Sequence, residues 1–251
     1  MTAATTMNGY LGGALKLRQP SKGYRAGVDP VLLAAFVPAK TDQSVLELGC
    51  GVGTAMLCLG RRVPGLQLTG LELQADYGAL AVENAERNKI LARVVIGDLA
   101  KLPDVLRQQT FTHVIANPPY FDRVSGTASQ DVGREKSIGQ RTPLSIWVDV
   151  AARRLAPKGF ASFIHRAERL PDLLAALNNR LGSIEVLPLQ PRTDRQSSLV
   201  LVRARKNGRA AFRLHAPVIM HDGVSHVADQ ESYTPRIRAI LRDGASLNTL
   251  P

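Results

Sequence analysis

Val45-Leu46-Glu47-Leu48-Gly49-Cys50-Gly51-Val52-Gly53-Thr54 is the stretch from which the fold is read. A short apolar run fit for a buried strand ends in three glycines at alternate positions, and a helical pattern starts at Thr54. Without a Cβ the backbone at Gly49, Gly51 and Gly53 can turn tightly, and a ligand can lie close against it. A glycine bend at a first strand-helix junction points to a nucleotide-like ligand. Dinucleotide sites read G-x-G-x-x-G, with a pyrophosphate on the helix N-terminus. Here Thr54 holds the sixth position, and an acidic residue, Glu47, stands two residues before the first glycine.

Outward from this bend, short β-rich runs alternate with longer segments of helical period from about residue 27 to 204. That alternation predicts βαβ units and a mainly parallel sheet. The expected strands are Ser44–Leu48, Leu68–Glu72, Arg93–Ile96, His113–Ala116, Phe160–His165, Ile184–Leu187 and Leu199–Arg203, with helices near 27–36, 54–61, 74–89, 99–107, 144–155 and 168–181. The fold class is therefore α/β, a doubly wound, seven-stranded, mostly parallel sheet in a single domain over 27–251. The loop before Leu199 has no room for a crossover helix, so the last strand should enter antiparallel, as a hairpin edge. Residues 1–26 hold no acidic side chain and form a flexible or hairpin-like lead-in. Residues 121–143 are a polar insertion directly after a strand end, a functional lid or a disordered loop. In the tail, Ala211–Ile219 reads as strand-like and Pro235–Leu241 as a short helix.

With 251 residues, 45% of them hydrophobic and 21% charged, the chain buries a real core but holds at most two modest domains. Cys50 and Cys58 lie within one loop-helix unit, which favours reduced thiols in a cytosolic setting over a disulfide or a metal site. No apolar run is long enough to span a bilayer and the N-terminus lacks an apolar signal core, so the expected location is cytoplasmic. His221, Asp222 and His226 fit no zinc spacing, so no metal is expected. No nucleophile elbow supports acyl transfer. The formal charge of +11 is uneven, its larger share falling in residues 151–251, and it suggests a polyanionic partner.

Three further features carry chemistry. Leu71-Glu72-Leu73 places a carboxylate 19 residues beyond Gly53, where it can accept both hydrogens of a ribose diol. Ile96-Gly97-Asp98-Leu99 closes the next strand, and Asp98 there suits a helix N-cap. Ala116-Asn117-Pro118-Pro119-Tyr120 follows the fourth strand. Its two prolines end regular structure and hold the carbonyls of Asn117 and Pro118 rigidly. A conjugated exocyclic amine is a poor nucleophile because its lone pair is delocalised. Two acceptors, the Asn117 side-chain oxygen and the Pro118 carbonyl, can take both N–H hydrogens and stabilise the charge that develops on nitrogen. Tyr120 offers a flat face for an extruded base.

The pattern E-x-G-x-G-x-G resembles that of Rossmann-like class I S-adenosylmethionine-dependent methyltransferases, and Asn117–Tyr120 resembles their amino-methylating NPPY motif. Leu11-Gly12-Gly13, Gln19-Pro20, Gly23 to Asp29 and Leu32-Leu33-Ala34-Ala35 are similar to the N-terminal segment of the bacterial valine-tRNA adenine-N6 methyltransferase family. The likeness extends to Ala156–Phe160 and Ser232–Thr234. It implies that residues 1–26 cap the cofactor pocket, that Asp29 lies near the methionine end of the ligand, and that Asp98 and Leu99 meet the adenine. The implied cofactor-binding set is Tyr24, Arg25, Gly27, Asp29, Glu47, Gly49, Cys50, Gly51, Gly53, Glu72, Leu73, Asp98, Leu99 and Asn117. The catalytic set is Asn117, Pro118, Pro119 and Tyr120. Tyr120, Arg192 and Arg195 would meet the substrate, within a basic group that includes Arg203, Arg205, Lys206 and Arg209. The resulting expectation is methylation of adenine N6 in tRNA. Alternatives are glutamine-N5 methylation of a protein, another RNA or DNA amine, or a cofactor-binding protein without turnover.

Overall fold

Strand-forming runs rich in Val, Leu and Ile become the interior of the protein, and the helical segments cover both of their faces. The computed structural model describes residues 4–120, 142–223 and 232–247. In chain order, β1 (Thr5–Tyr10) and β2 (Leu15–Pro20) precede α1 (Asp29–Phe36), β3 (Ser44–Leu48), α2 (Thr54–Arg62), β4 (Gln67–Glu72), α3 (Ala75–Arg87) and β5 (Ala92–Ile96). There follow α4 (Asp104–Arg107), β6 (Phe111–Ala116), α5 (Leu144–Arg154), β7 (Leu155–Arg166), α6 (Leu170–Leu177), β8 (Gly182–Gln190), β9 (Leu199–Arg205), β10 (Arg213–Leu214), β11 (Val218–Ile219) and α7 (Pro235–Asp243).

The large sheet runs β10-β8-β9-β7-β6-β3-β4-β5, with β11 also on β8. The strands β5, β4, β3, β6 and β7 are mutually parallel, and β9 is antiparallel to both its neighbours. All seven expected strands form, and one runs antiparallel. Its place differs from the expected edge, because β9 lies between β7 and β8. The crossover through α6 sets β8 one strand-width away from β7, and the short 191–198 return then fills the gap. The edge is β8, on which the two-residue strands β10 and β11 pair.

Alternation along each strand divides the core between the two faces. Val45, Ile115 and Ile164 pack with α1, α2 and the β1–β2 hairpin. Leu46, Leu48, Val114, Ala116 and Phe163 pack with α5 and α6. Helix α1 is buried from Pro30 to Phe36, as an almost wholly apolar helix must be. Two expected helices are interrupted near a proline. Residues 99–107 divide into a 3-10 turn and α4 at Pro103, and 168–181 into a 3-10 turn and α6 at Pro171.

The lead-in is a hairpin. Asn84 on α3, with no accessible surface, accepts from Arg18 N at 2.6 Å and donates to Arg18 O and Val52 O, both at 3.0 Å. One side chain thereby ties β2 to the loop carrying the three glycines. Residues 121–141 of the expected insertion, and His226, lie outside the described residues. No helix among the described residues is long and apolar enough to cross a membrane.

Candidate active site

The order of the strands places the site. The chain runs outward from β3 to β5, then returns to lay β6 on the other side of β3, and this reversal opens a crevice at the carboxyl ends of β3 and β6. Leu48 of β3 is in register with Ala116 of β6. The next residues are Gly49 and Asn117, so the glycine bend and the asparagine-diproline segment leave the sheet side by side.

The bend needs its glycines. Gly49, Gly51 and Gly53 have φ of 64°, 54° and 84°, the region in which a Cβ is strained. Gly53 N closes the turn on Cys50 O at 2.8 Å, and Cys50 N is anchored on Leu71 O at 2.9 Å. At Gly49 a Cβ would stand 2.7 Å from the Trp147 ring of α5, whereas at Gly51 it would meet no atom within 4 Å. The backbone at Gly51 thus faces open space, while Trp147 packs on the bend.

Two acidic side chains hold this backbone. Glu72 Oε2 accepts from Gly51 N at 2.8 Å and Oε1 from Gln74 N at 2.9 Å. Burial raises its carboxyl above the ordinary range, and the backbone donors Gln74, Gly51 and Leu73 act against that rise. Glu47 Oε2 accepts from Met56 N at 2.8 Å in the first turn of α2. Burial pushes its carboxyl up to about 8, with the Met56 N–H opposing and Glu72 adding to the rise. Cys50 and Cys58 are unpaired and buried.

A cavity of about 460 Å³ opens here, within the range of small-molecule sites. The expected residues Tyr24, Arg25, Glu47, Gly49, Cys50, Gly51, Glu72, Leu73, Asp98, Leu99, Asn117, Pro118, Pro119 and Tyr120 all line it. Gly27, Asp29 and Gly53 do not. Gly53 acts from behind as the N-cap residue of α2, and Asp29 reaches the site only through the Tyr120 hydroxyl, at 2.7 Å. Asp98 keeps its capping role, accepting from Ala100 N at 2.8 Å, while also lining the cavity.

The rim formed by residues 24–26 is held by the hairpin. Gln19, 1% exposed, accepts from Ala26 N at 2.8 Å and donates to Tyr10 Oη, whose own hydroxyl donates to Ala26 O at 2.7 Å. Arg25 donates to Thr6 Oγ1 and Asn8 Oδ1.

Gln74, Tyr77 and Trp147 are among the lining residues that the expected site did not include. Gln74 and Tyr77 follow Glu72 into the first turn of α3, so their spacing from the carboxylate was a usable signal. Trp147 lies far off in sequence, and nothing in its helical context marked it.

On the other wall, Asn117 is half-buried and its side chain has no hydrogen-bond partner among the described residues. Pro118 is buried beneath it. The Tyr120 ring lies 5.4 Å from the His165 ring, tilted by 50°, and the Arg166 guanidinium carbon is 5.5 Å from the Tyr120 centroid. Burial and the neighbouring Asp29 raise the Tyr120 hydroxyl, which stays protonated and donates.

The basic group expected to meet a polyanion is divided by the sheet. β9 runs antiparallel, so Leu199 lies at the carboxyl edge opposite Arg166 and Arg205 at the far edge opposite Phe160. Arg203 pairs with Glu185 at 2.7 Å, Arg205 Nε donates to Lys158 O, and Lys206 Nζ donates to Ala152 O and Leu155 O. These three serve the fold and lie away from the cavity edge, which corrects their assignment to one phosphate-binding face. Arg192 and Arg195 lie at the carboxyl edge. The Arg192 guanidinium is engaged by Asp222 O, by Gly223 O at 3.0 Å and by Ser232 Oγ at 3.2 Å, whereas Arg195 is exposed. His221 stacks on Tyr233 and hydrogen-bonds Ser232 Oγ. Among the described residues, no three His, Cys, Asp or Glu side chains group as a metal site.

The residues present fit S-adenosylmethionine. A glycine backbone faces open space, a carboxylate stands at the end of β4, and Asp98 and Leu99 lie across from them on one cavity. Residues 26–186 match the methyltransferase small domain family. Curated relatives named tRNA1(Val) (adenine(37)-N6)-methyltransferase are 31% identical over 154 residues in Haemophilus influenzae (59% of this chain, 64% of that one) and 25% identical over 223 residues in Dickeya chrysanthemi (87% of each). The chain thus spans a little under two thirds of the Haemophilus relative's length. A solved structure of a predicted O-methyltransferase from Agrobacterium tumefaciens superposes with a TM-score of 0.70 at 24% identity, over 87% of this chain and 97% of that one. The 16S rRNA N2 methyltransferase of T. thermophilus, solved with AdoMet and guanosine, gives 0.56 at 20% identity, over 81% and 50%. These two share the fold. With its glycine bend, the carboxylate at the end of β4 and the asparagine-diproline segment on one cavity, and with the family match spanning most of the sheet, the chain belongs to the methyltransferase small domain family.

Proposed function

We propose that the protein methylates an exocyclic amine, the N6 of an adenine in tRNA. The observation that carries this reading is that Gly49–Gly51 and Asn117–Tyr120 line the same cavity. The relatives' names supply the nucleic acid and the base. Bound S-adenosylmethionine supplies a methyl group on a positively charged sulfur, a carbon electrophile that needs no metal. Gly49, Gly51, Glu72, Asp98 and Leu99 would hold it, with Glu72 accepting from the ribose diol.

The rest falls to side chains and backbone of this chain. Asn117 Oδ1 and Pro118 O accept the two amine hydrogens, drawing the nitrogen out of conjugation and stabilising the charge it acquires. Two prolines fix the Pro118 carbonyl and the backbone that carries Asn117 before substrate arrives, so little backbone ordering is left for the reaction step. Tyr120 stacks the extruded base. The β1–β2 hairpin caps the pocket by holding Tyr24 and Arg25 at its rim, while the remainder of the chain forms one catalytic domain. Arg195 contacts phosphate, and Arg192 braces the tail beside it. A tRNA partner places the protein in the cytoplasm.

The test is to incubate the protein with methyl-labelled S-adenosylmethionine and, separately, bulk tRNA, duplex DNA and a protein carrying an exposed glutamine. Label in tRNA, recovered as N6-methyladenosine, is expected. Label confined to the glutamine amide would replace this substrate with a protein.

A further inference from the structure

We infer that Asp29 is a positioning residue for the target base, acting through Tyr120 rather than on the methyl donor; the inference rests on the reading of Tyr120 as the stacking platform. Three observations carry it. Asp29 does not line the cavity. Its carboxylate accepts the Tyr120 hydroxyl at 2.7 Å, and among the described residues that is its side chain's one hydrogen bond and it has no Lys or Arg partner. Its backbone is set firmly, because it opens α1, a helix buried from Pro30 onward and followed by the 37–43 turn into β3.

The geometry explains why such an anchor is needed. Tyr120 stands one residue past Pro118-Pro119, so its backbone direction is set by the diproline, but its ring is free to turn about the side-chain bonds. His165 and Arg166 touch the ring at 5.4 and 5.5 Å, and such contacts tolerate a change of tilt. A charge-assisted hydrogen bond at the far end of the ring instead holds the position of that end. Asp29 therefore fixes where the long axis of the ring points, and with it where a base stacked on that ring would lie, 91 positions away in sequence, and ties the entry of α1 to the acceptors Asn117 and Pro118. Misplacing the base by about 1 Å is enough to lower the rate about a hundredfold.

The experiment is a double-mutant cycle on the full-length protein, with Asp29→Ala, Asp29→Asn, Tyr120→Phe and Asp29→Ala/Tyr120→Phe. Turnover on tRNA, KM for tRNA and the dissociation constant of S-adenosylmethionine are measured for each, with thermal melting to verify folding. Asp29→Ala and Tyr120→Phe should each lower kcat by about ten- to a hundredfold, the double variant should be no worse than Tyr120→Phe, and Asp29→Asn, which retains an acceptor oxygen, should recover most of the loss. Cofactor affinity should hold in all four. A tenfold or greater loss of cofactor affinity in Asp29→Ala, or effects that multiply in the double variant, overturns the inference and returns Asp29 to the methyl donor. If the wild type leaves tRNA unmethylated, the substrate reading fails, and crystal structures decide the inference independently. Tyr120 turned from its wild-type orientation in Asp29→Ala supports it, and Tyr120 unmoved sinks it.

Discussion

Replacing Glu47 by glutamine should change how stability responds to pH, by an amount the structure sets. The carboxyl is 3% exposed, accepts one backbone N–H at 2.8 Å, and is pushed by burial from 4.5 to about 8. Between those values the folded protein binds a proton there and the unfolded chain does not, so stability falls as pH rises. Each pH unit removes about 1.4 kcal/mol, or about 5 kcal/mol across the window. His113 works in the opposite sense. It is 1% exposed, its Nε2 lies 2.8 Å from Gln43 Oε1, and burial, helped by Arg203 and Arg62, lowers it from 6.5 to about 4. There the unfolded chain binds the extra proton, so stability rises with pH up to 6.5 and then stays. Summed over these two groups, the wild type should be nearly level from pH 4.5 to 6.5 and lose stability from 6.5 to 8. Glutamine mimics the protonated carboxyl and can still accept from Met56 N. The variant should instead gain stability up to pH 6.5 and hold it. Urea unfolding of both proteins without cofactor, at steps across this range, isolates Glu47, since every other titrating group is common to the two. Parallel curves would refute the assignment of a buried, proton-binding carboxyl behind the glycine bend.

Asn117→Ala removes an acceptor that acts on the developing charge, so kcat should fall by about a hundred- to a thousandfold with cofactor affinity within about threefold of wild type; equilibrium dialysis beside a turnover assay separates the two. Asn84→Ala leaves Arg18 and Val52 backbone groups without their buried partner, and urea unfolding should show a loss of about 2–4 kcal/mol. A loss below about 1 kcal/mol would mean that water replaces the side chain. Binding of tRNA should weaken steeply with salt, and Arg195→Ala should reduce the slope of log K against log salt by about one, read from filter binding over a salt series. An unchanged slope would remove Arg195 from the interface.

The alternation of short apolar runs and helical segments made the doubly wound sheet legible in advance, because a parallel strand buried on both faces leaves little else in its composition. The direction of β9 was legible too, from the missing crossover. Its interior place was not, since it depends on where α6 deposits β8, a distance that no local pattern carries. At the site, the glycines and Asn117–Tyr120 could be read because each is a contiguous motif whose chemistry is written in residue type. Asn84, Trp147 and the Asp29–Tyr120 bond could not, for each joins segments tens of residues apart through one side chain. Counting charge misled in a specific way. Arg203, Arg205 and Lys206 contribute to the net charge of the second half, yet the antiparallel course of β9 carries them toward the end of the sheet away from the cavity, where each donates to Glu185 or to a backbone carbonyl.

A crystal structure of the protein with S-adenosylhomocysteine and adenosine tests the shared cavity most directly. The account predicts the sulfur beside the Gly49–Gly51 backbone, the ribose on Glu72, and the adenosine N6 about 3 Å from both Asn117 Oδ1 and Pro118 O, with the base on Tyr120. Adenosine bound with N6 turned away from Asn117, or a sulfur facing Trp147 with Asn117 shut off from it, would contradict the account.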